Sequence, residues 1–208
     1  AWDAASTVRY DVPLFHSEGG GPGDGHSRLV ESLGGGVFAR LIAVAEEQER
    51  RRGADGGTDD GLRLLRGVLR DAVADPWRVV LDGEDLSGEY LAVEAMNIAR
   101  LGPNVELAPG AVPADGLIDL VLVREADRGE LLGHVDHLLE VGTPGDPAEA
   151  PRLEVRRGAD VRLVPPAGCE LHVDDERWTA GVTPEGSSGQ ELRLVVDGTT
   201  LDVLVPSR

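Results

Sequence analysis

The chain has 208 residues, 41% of them hydrophobic and 3% aromatic, with 38 acidic residues against 20 basic ones and a formal charge of −18. That length and apolar content suit one packed domain or a large lobe, and no apolar run reaches the ~18 residues of a membrane span. So negative a field repels phosphate backbones, which excludes nucleic acid as a natural partner, and the single cysteine, Cys169, excludes an internal disulfide or a cysteine-cluster metal site.

All 20 basic residues are Arg, which reads as genome composition, with salt adaptation as a second reading of the acid excess. The only methionine is Met96, so the natural start is expected upstream of Ala1. The cytoplasm is the expected compartment.

Val8–Leu14 alternates like a half-buried strand, and Pro13 places it at an edge or an end. The run Ser17–His26 is too rich in Gly to offset its ordering entropy and reads as a loop. Arg28–Leu33 reads as a strand, and Gly34-Gly35-Gly36 as a turn into a helix whose stripe is Phe38, Leu41, Ile42 and Ala45. Asp59 and Asp60 can cap a second helix carrying Leu62, Leu65, Val68 and Leu69. From Pro76 the period changes to two. Trp77–Leu81 and Glu89–Met96 read as a hairpin around Asp82-Gly83, and Ile118–Val123 as a buried strand. Arg128–Val141 reads as a helix, followed by a loop over 142–151 and strands at Leu153–Arg156, Val161–Val164 and Cys169–Val173. Glu191–Val196 and Thr199–Val205 read as a tight hairpin on Asp197-Gly198. About nine strands and three helices, mostly antiparallel, predict a mainly β, two-sheet antiparallel sandwich with helical insertions. It is read as a single lobe over 1–208, with strands and a helical insertion in 1–75 and the main sandwich in 76–208.

Three segments carry candidate chemistry. Glu94–Asn104 is a strand that ends in Asn97 and a Gly102-Pro103 turn. In Leu107–Asp119, Asp115 sits on a turn before a buried strand, where a carboxylate and nearby carbonyls can cage a hard cation, although Asp-Gly is also a plain turn pair. In Cys169–Trp178, alternation points Cys169, Leu171 and Val173 inward, and Asp174, Asp175 and Glu176 then cluster. Crowded carboxylates raise one another's pKa and can make one a proton acceptor, although on the residues alone a solvated acidic turn is the simpler reading. His134 and His137 are read as a wet helix face without a third metal ligand. His172 is read as a surface residue and Cys169 as a core thiol, and Trp77 and Trp178 as sandwich-edge packing or the lining of a lipid entrance. Gly23-Asp24-Gly25-His26 lacks the strand and helix that a phosphate loop needs.

Taken in order, Asn97, Gly102, Ala108-Pro109-Gly110-Ala111, Asp115-Gly116-Leu117-Ile118-Asp119 and Val173-Asp174-Asp175-Glu176 resemble the C-terminal domain of bacterial diacylglycerol kinases and related lipid kinases, the family that includes sphingosine kinases. The resemblance covers about Trp77 to Val205, and Val8 to Glu47 more loosely. It implies the β-sandwich lobe of a two-lobe, ATP-dependent lipid kinase whose nucleotide-binding N-terminal lobe is absent from this chain. The fragment alone is then expected to be inactive. The resemblance further implies Glu176 as the base that takes the lipid hydroxyl's proton. It implies a structural magnesium at Asp115 with the carbonyls of Val112 and Leu117, and ATP bound mainly by the missing lobe. Asp175 stands where the family has Gly, a position that often takes φ > 0. The implied partners are a lipid such as diacylglycerol and the chain's own nucleotide lobe. A homodimer, peripheral membrane contact, a soluble substrate such as a nicotinamide nucleotide, and a non-catalytic lipid-binding module all stay open.

Overall fold

The alternation of Trp77, Val79 and Leu81, of Val161 and Leu163, and of Leu192 and Leu194 buries one face of each strand and leaves the other wetter. Ala92–Met96 and Ile118–Val123 are instead buried at every residue, so those two strands are covered on both faces. The structure, a computed structural model, describes residues 5–17, 26–28, 31–52, 57–142, 150–178 and 191–206. Of the expected loop over 17–26, residues 18–25 lie outside the described residues, as does most of that over 142–151.

In chain order the elements are β1 (Ala5–Asp11), β2 (Leu14–Ser17), β3 (His26–Arg28), β4 (Ser32–Gly36), α1 (Val37–Arg52), α2 (Thr58–Asp71), β5 (Asp75–Leu81) and β6 (Glu84–Asp85). Next come β7 (Gly88–Tyr90), β8 (Ala92–Met96), β9 (Arg100–Leu101), β10 (Val105–Glu106), β11 (Ile118–Val123), α3 (Arg128–Val141) and β12 (Glu154–Gly158). The last are β13 (Asp160–Val164), β14 (Leu171–Val173), β15 (Glu176–Trp178), β16 (Leu192–Val195) and β17 (Thr200–Pro206). One sheet has six strands in the order β12-β11-β8-β4-β14-β15, and the other runs β3-β2-β16-β13-β5-β6 with β7 also pairing β5. Every described pairing is antiparallel. The sandwich is thus as the alternation predicts.

Two cores explain the burial. Leu33, Val93, Ala95, Leu120 and Leu122 meet Trp77, Val79, Val161, Leu163 and Leu194 between the sheets. On the outer face of the six-stranded sheet, Ala92, Met96, Val121 and Val123 pack under Phe38, Leu41, Leu65, Leu69, Leu131 and Val135 of the three helices. The helices therefore form a third layer on the sandwich, and they are why β8 and β11 have no wet face. Asp59 and Asp60 lie in the first turn of α2, with Gly57 at the cap position, and there they complement the helix dipole.

Two expected hairpins pair differently. β5 folds back on β6 and β7, but β8 leaves for the other sheet and pairs β4 and β11. Asp197-Gly198 turns the chain, yet β16 pairs β13 and β2 whereas β17 pairs β1 in a separate ribbon. Arg28 grips Asp197 with two bonds of 2.9 Å and anchors that turn. A local turn signal fixes the reversal but not the strand that receives the chain afterwards. The triple glycine belongs mostly to β4, and only Gly36, at φ 85, makes the bend into α1.

Candidate functional site: an acidic turn over an apolar cavity

Val173 and Glu176 pair across β14 and β15, which leaves Asp174 and Asp175 as the two turn residues. Asp174 takes φ 53, and its carboxylate accepts the backbone N–H of Glu31 at 2.8 Å and of Ser32 at 3.2 Å. Its own N–H donates to the Ser32 carbonyl at 2.7 Å. The left-handed residue is therefore Asp174 and not Asp175, and a short polar side chain tolerates that conformation when it can bond locally. Glu31 completes a group of three acids. Partial burial, and then the charges of Asp174 and Asp175, push its carboxyl above the usual range.

The turn rims a cavity of about 340 Å³. Its apolar wall is Phe38, Leu41 and Ile42 of α1 with Ile98 and Leu101 of the segment after β8. Glu31, Asp174, Asp175 and His172 form the polar side, with Arg100 as the one cation among the lining residues. Arg100 is held at 3.0 Å by Glu106, which is itself buried. Leu41, Ile42 and Asp175 also line a wider groove of about 960 Å³ that runs between α1 and α2. Leu41 and Ile42 thus join the cavity to a groove of mixed lining, in which Ala45, Leu64 and Pro103 stand among Glu46, Glu49, Asp60 and Arg63.

The predicted site residues separate. Glu176 is exposed, stands opposite Val173 and does not line this cavity; Asp175 is the neighbour that does. His172, expected at the surface, is fully buried because α1 covers the outer face of β14. Its Nε2 lies 2.8 Å from Oε2 of Glu94, also fully buried, and its Nδ1 lies 2.8 Å from the Asp174 carbonyl. His134 is likewise buried, in the helical core, rather than on a wet face. Trp77 is a core residue between the sheets, and Trp178 packs edge-on against Phe15 at 5.3 Å. Burial pushes the Cys169 thiol up to about 12, which leaves it protonated and unreactive at neutral pH.

The other two segments meet through Asp11. The Asn97 N–H donates to the Glu31 carbonyl at 2.8 Å, and the Asn97 side-chain amide donates to the Asp11 carbonyl at 2.8 Å. The Asp11 carboxylate then accepts the Gly116 N–H at 2.8 Å. A continuous run of hydrogen bonds therefore joins the acidic turn to the Asp115 loop. Asp11 and Glu31 were invisible as site residues in the sequence, because no local pattern links them to the motifs, and Arg100 lay within the Glu94–Asn104 segment without being singled out.

Asp115 itself is ion-paired to Arg157, while its other oxygen accepts the Leu117 N–H at 3.1 Å. Arg157 also reaches the buried Asp119 at 3.3 Å, its register partner across β11 and β12. Burial raises the Asp119 carboxyl, Arg157 lowers it and Asp115 raises it. This donor set fits a guanidinium better than a magnesium ion. The carboxylate that would bind the ion already neutralises an arginine, and Val112 and Leu117 could add only carbonyls. Among the described residues no cluster of three or more His, Cys, Asp or Glu side chains could hold a metal.

Residues 39–202 match the family described as the YegS C-terminal NAD kinase beta sandwich-like domain. The chain belongs to this family. No curated protein matches the sequence. Among solved structures, one described as "a putative diacylglycerol kinase from Bacillus anthracis str. Sterne" is 14% identical with a TM-score of 0.55, covering 93% of this chain and 56% of that one. Another, described as a diacylglycerol kinase from the same organism, is 13% identical with a TM-score of 0.52 over the same shares. At such identity the likeness establishes the fold, and this YegS C-terminal domain spans a little over half the length of those chains. Among the described residues no helix is long and apolar enough to cross a membrane.

Proposed function

We propose that this domain is the substrate-binding lobe of an ATP-dependent lipid kinase, with diacylglycerol the first substrate to test. The observation that carries the reading is the cavity, whose apolar wall continues into the α1–α2 groove and whose mouth is rimmed by acids. Acyl chains match the wall, and a hydroxyl head group matches the rim, where a carboxylate can accept its proton. In the reaction the lipid oxygen attacks the γ-phosphorus of ATP, the bond to the β-phosphate oxygen breaks, ADP leaves, and the hydroxyl proton passes to a carboxylate. Such transfer depends on positioning and charge neutralisation more than on covalent chemistry, and magnesium bound with ATP supplies much of that neutralisation.

Glu176 is the proposed acceptor. It is exposed and follows the rim residue Asp175 in the chain, where a nucleotide held by another part of the protein could reach it. Glu31 is the alternative, because it lines the cavity and its carboxyl is raised. The family's likeness to the NAD kinase β-sandwich favours a soluble nucleotide as the second substrate class.

The test is a transfer assay on the full-length protein with γ-labelled ATP and a panel of diacylglycerol, a sphingoid base, glycerol and NAD. Label in diacylglycerol or the sphingoid base is the expected result. Label confined to NAD or glycerol would replace the lipid reading, and no label in any acceptor would leave a binding module.

A further inference from the structure

We infer that Glu94 and His172 form a buried, proton-sharing strut that positions the acidic turn Asp174–Glu176. The inference rests on the reading that this turn belongs to the active face. Its geometry, however, stands on the sheet alone. Glu94, Gly34 and His172 occupy one register row across β8, β4 and β14. Gly34 contributes no side chain, so the Glu94 carboxylate passes over the central strand through the space a Cβ would fill and meets His172 two strands away.

Counting donors fixes the proton. The Asp174 oxygen facing Nδ1 is a carbonyl, which can only accept, so Nδ1 carries a hydrogen. If the ring is neutral, Nε2 is then a bare lone pair, and so is an ionised Glu94 oxygen. Two lone pairs do not sit 2.8 Å apart in a dry interior. The contact therefore holds one proton, whether written as imidazolium with carboxylate or imidazole with carboxylic acid. The other carboxylate oxygen of Glu94 is buried without a partner among the described residues, so losing the shared proton would strand a charge where no donor compensates it.

The surroundings agree. Burial pushes Glu94 up, against the lowering effect of His172. Burial alone would push His172 down, but the charge and hydrogen bond of Glu94, then the Asp174 carbonyl and charge, outweigh it, and its pKa rises. Among the described residues, the titratable and charged groups near the pair include Asp174, Asp175 and Glu31, which line the cavity with His172, and the protonated Cys169 thiol, which feels the Glu94 charge. Arg177 faces His172 in register and is tied to Glu46 of α1 at 3.3 Å and Glu170 at 3.5 Å. The neighbour of Glu94 on β11 is the uncharged Val121. Arg177 is thus neutralised elsewhere, and the net field is acidic, which favours retention of the proton.

With its pKa raised above the unfolded value of 6.5, His172 contributes stability that is fully present below that pH and is lost as pH rises through the folded value. Above pH 6.5 folding takes up a proton, so the wild-type folding constant is expected to fall by up to about tenfold per pH unit relative to Glu94→Gln. The amide variant keeps the shape and donates to Nε2, but carries no titrating proton. The positioning role is read from amide hydrogen exchange at Glu31, Ser32 and Asp174. The paired apolar variant Glu94→Leu with His172→Phe avoids a stranded charge, and in it exchange at these amides is expected to quicken at least about tenfold, while Glu94→Gln preserves protection. In the full-length kinase the same strut predicts that the alkaline fall in kcat moves to higher pH in Glu94→Gln.

Equal pH slopes in wild type and Glu94→Gln, or unchanged protection in the paired variant, would overturn the strut. The lipid reading is judged separately by the acceptor panel. A strut that passes on this chain, in a full-length protein that labels no lipid, would leave the strut standing and remove only that reading.

Discussion

Gly34→Ala is expected to destabilise the domain by at least about 3 kcal/mol, at or beyond the upper end of ordinary overpacking. The added Cβ would fall within the envelope of the Glu94 carboxylate and only 2.5 Å from the Val93 carbonyl oxygen. The carboxylate cannot step aside without leaving His172, and the carbonyl belongs to the central strand β8. At roughly 2–4 °C per kcal/mol for a chain of this size, the midpoint should drop by about 6–12 °C in a thermal scan. Gly67→Ala is the control. Gly67 is an exposed position of α2 with open space around it, so the substitution should stabilise by about 0.5–1 kcal/mol through helix propensity alone. A Gly34→Ala midpoint within a degree or two of wild type would mean that β4 lies farther from Glu94 than described.

On the proposed lipid-kinase reading, Glu176→Gln is expected to lower kcat of the full-length protein in the transfer assay by about 10²–10⁴-fold, the usual contribution of a positioned proton acceptor. The lipid KM should change little, because Glu176 does not line the cavity. Glu31→Gln is expected to lower kcat by less than about tenfold and to shift its acid limb, since it removes one of three neighbouring like charges without removing the base. Initial rates for both variants across pH 5.5–9 decide the matter. If Glu31→Gln shows the large loss and Glu176→Gln does not, the acceptor is the acid inside the cavity. Retained near-wild-type turnover in both would remove the acidic turn from the chemistry.

Much of this architecture was legible in the sequence, and the reasons are local. The stripes Phe38-Leu41-Ile42-Ala45 and Leu62-Leu65-Val68-Leu69 predict α1 and α2, and alternation over Val161–Leu163 and Trp77–Leu81 predicts half-buried strands. Where contacts are long-range, the reading failed. His172 alternates outward from the sandwich core, which reads as surface until α1 is laid over that face. Asp82-Gly83 does close a hairpin of β5 on β6, but β8 goes on to the other sheet, and Asp197-Gly198 is a reversal whose outgoing strand β17 pairs β1. Gly34 reads as turn chemistry, yet its role is to make room for a carboxylate sixty residues later in the chain.

The candidate site divides in the same way. Asp174, Asp175 and Glu176 were visible as a charge cluster, but that Asp175 faces the cavity while Glu176 does not depends on register across β14 and β15. Asp115 was visible as a turn acid. Its partner Arg157 lies on a strand 42 residues later and carries no pattern that would reveal it. Glu31, which joins the acidic group, is set beside the turn by long-range bonds, its N–H to the Asp174 carboxylate and its carbonyl to the Asn97 N–H.

The central claim is that the cavity between α1 and the segment after β8 receives a lipid with its hydroxyl at the acidic rim. Titrating isotope-labelled domain with dioctanoylglycerol and following backbone and methyl resonances tests it most directly. The account predicts saturable shifts at Phe38, Leu41, Ile42, Ile98, Leu101 and Asp175, extending to Leu64 in the groove between α1 and α2. Shifts confined to the exposed Val8, Leu201 and Leu204 of the β1–β17 ribbon, or none at saturating lipid, would contradict it.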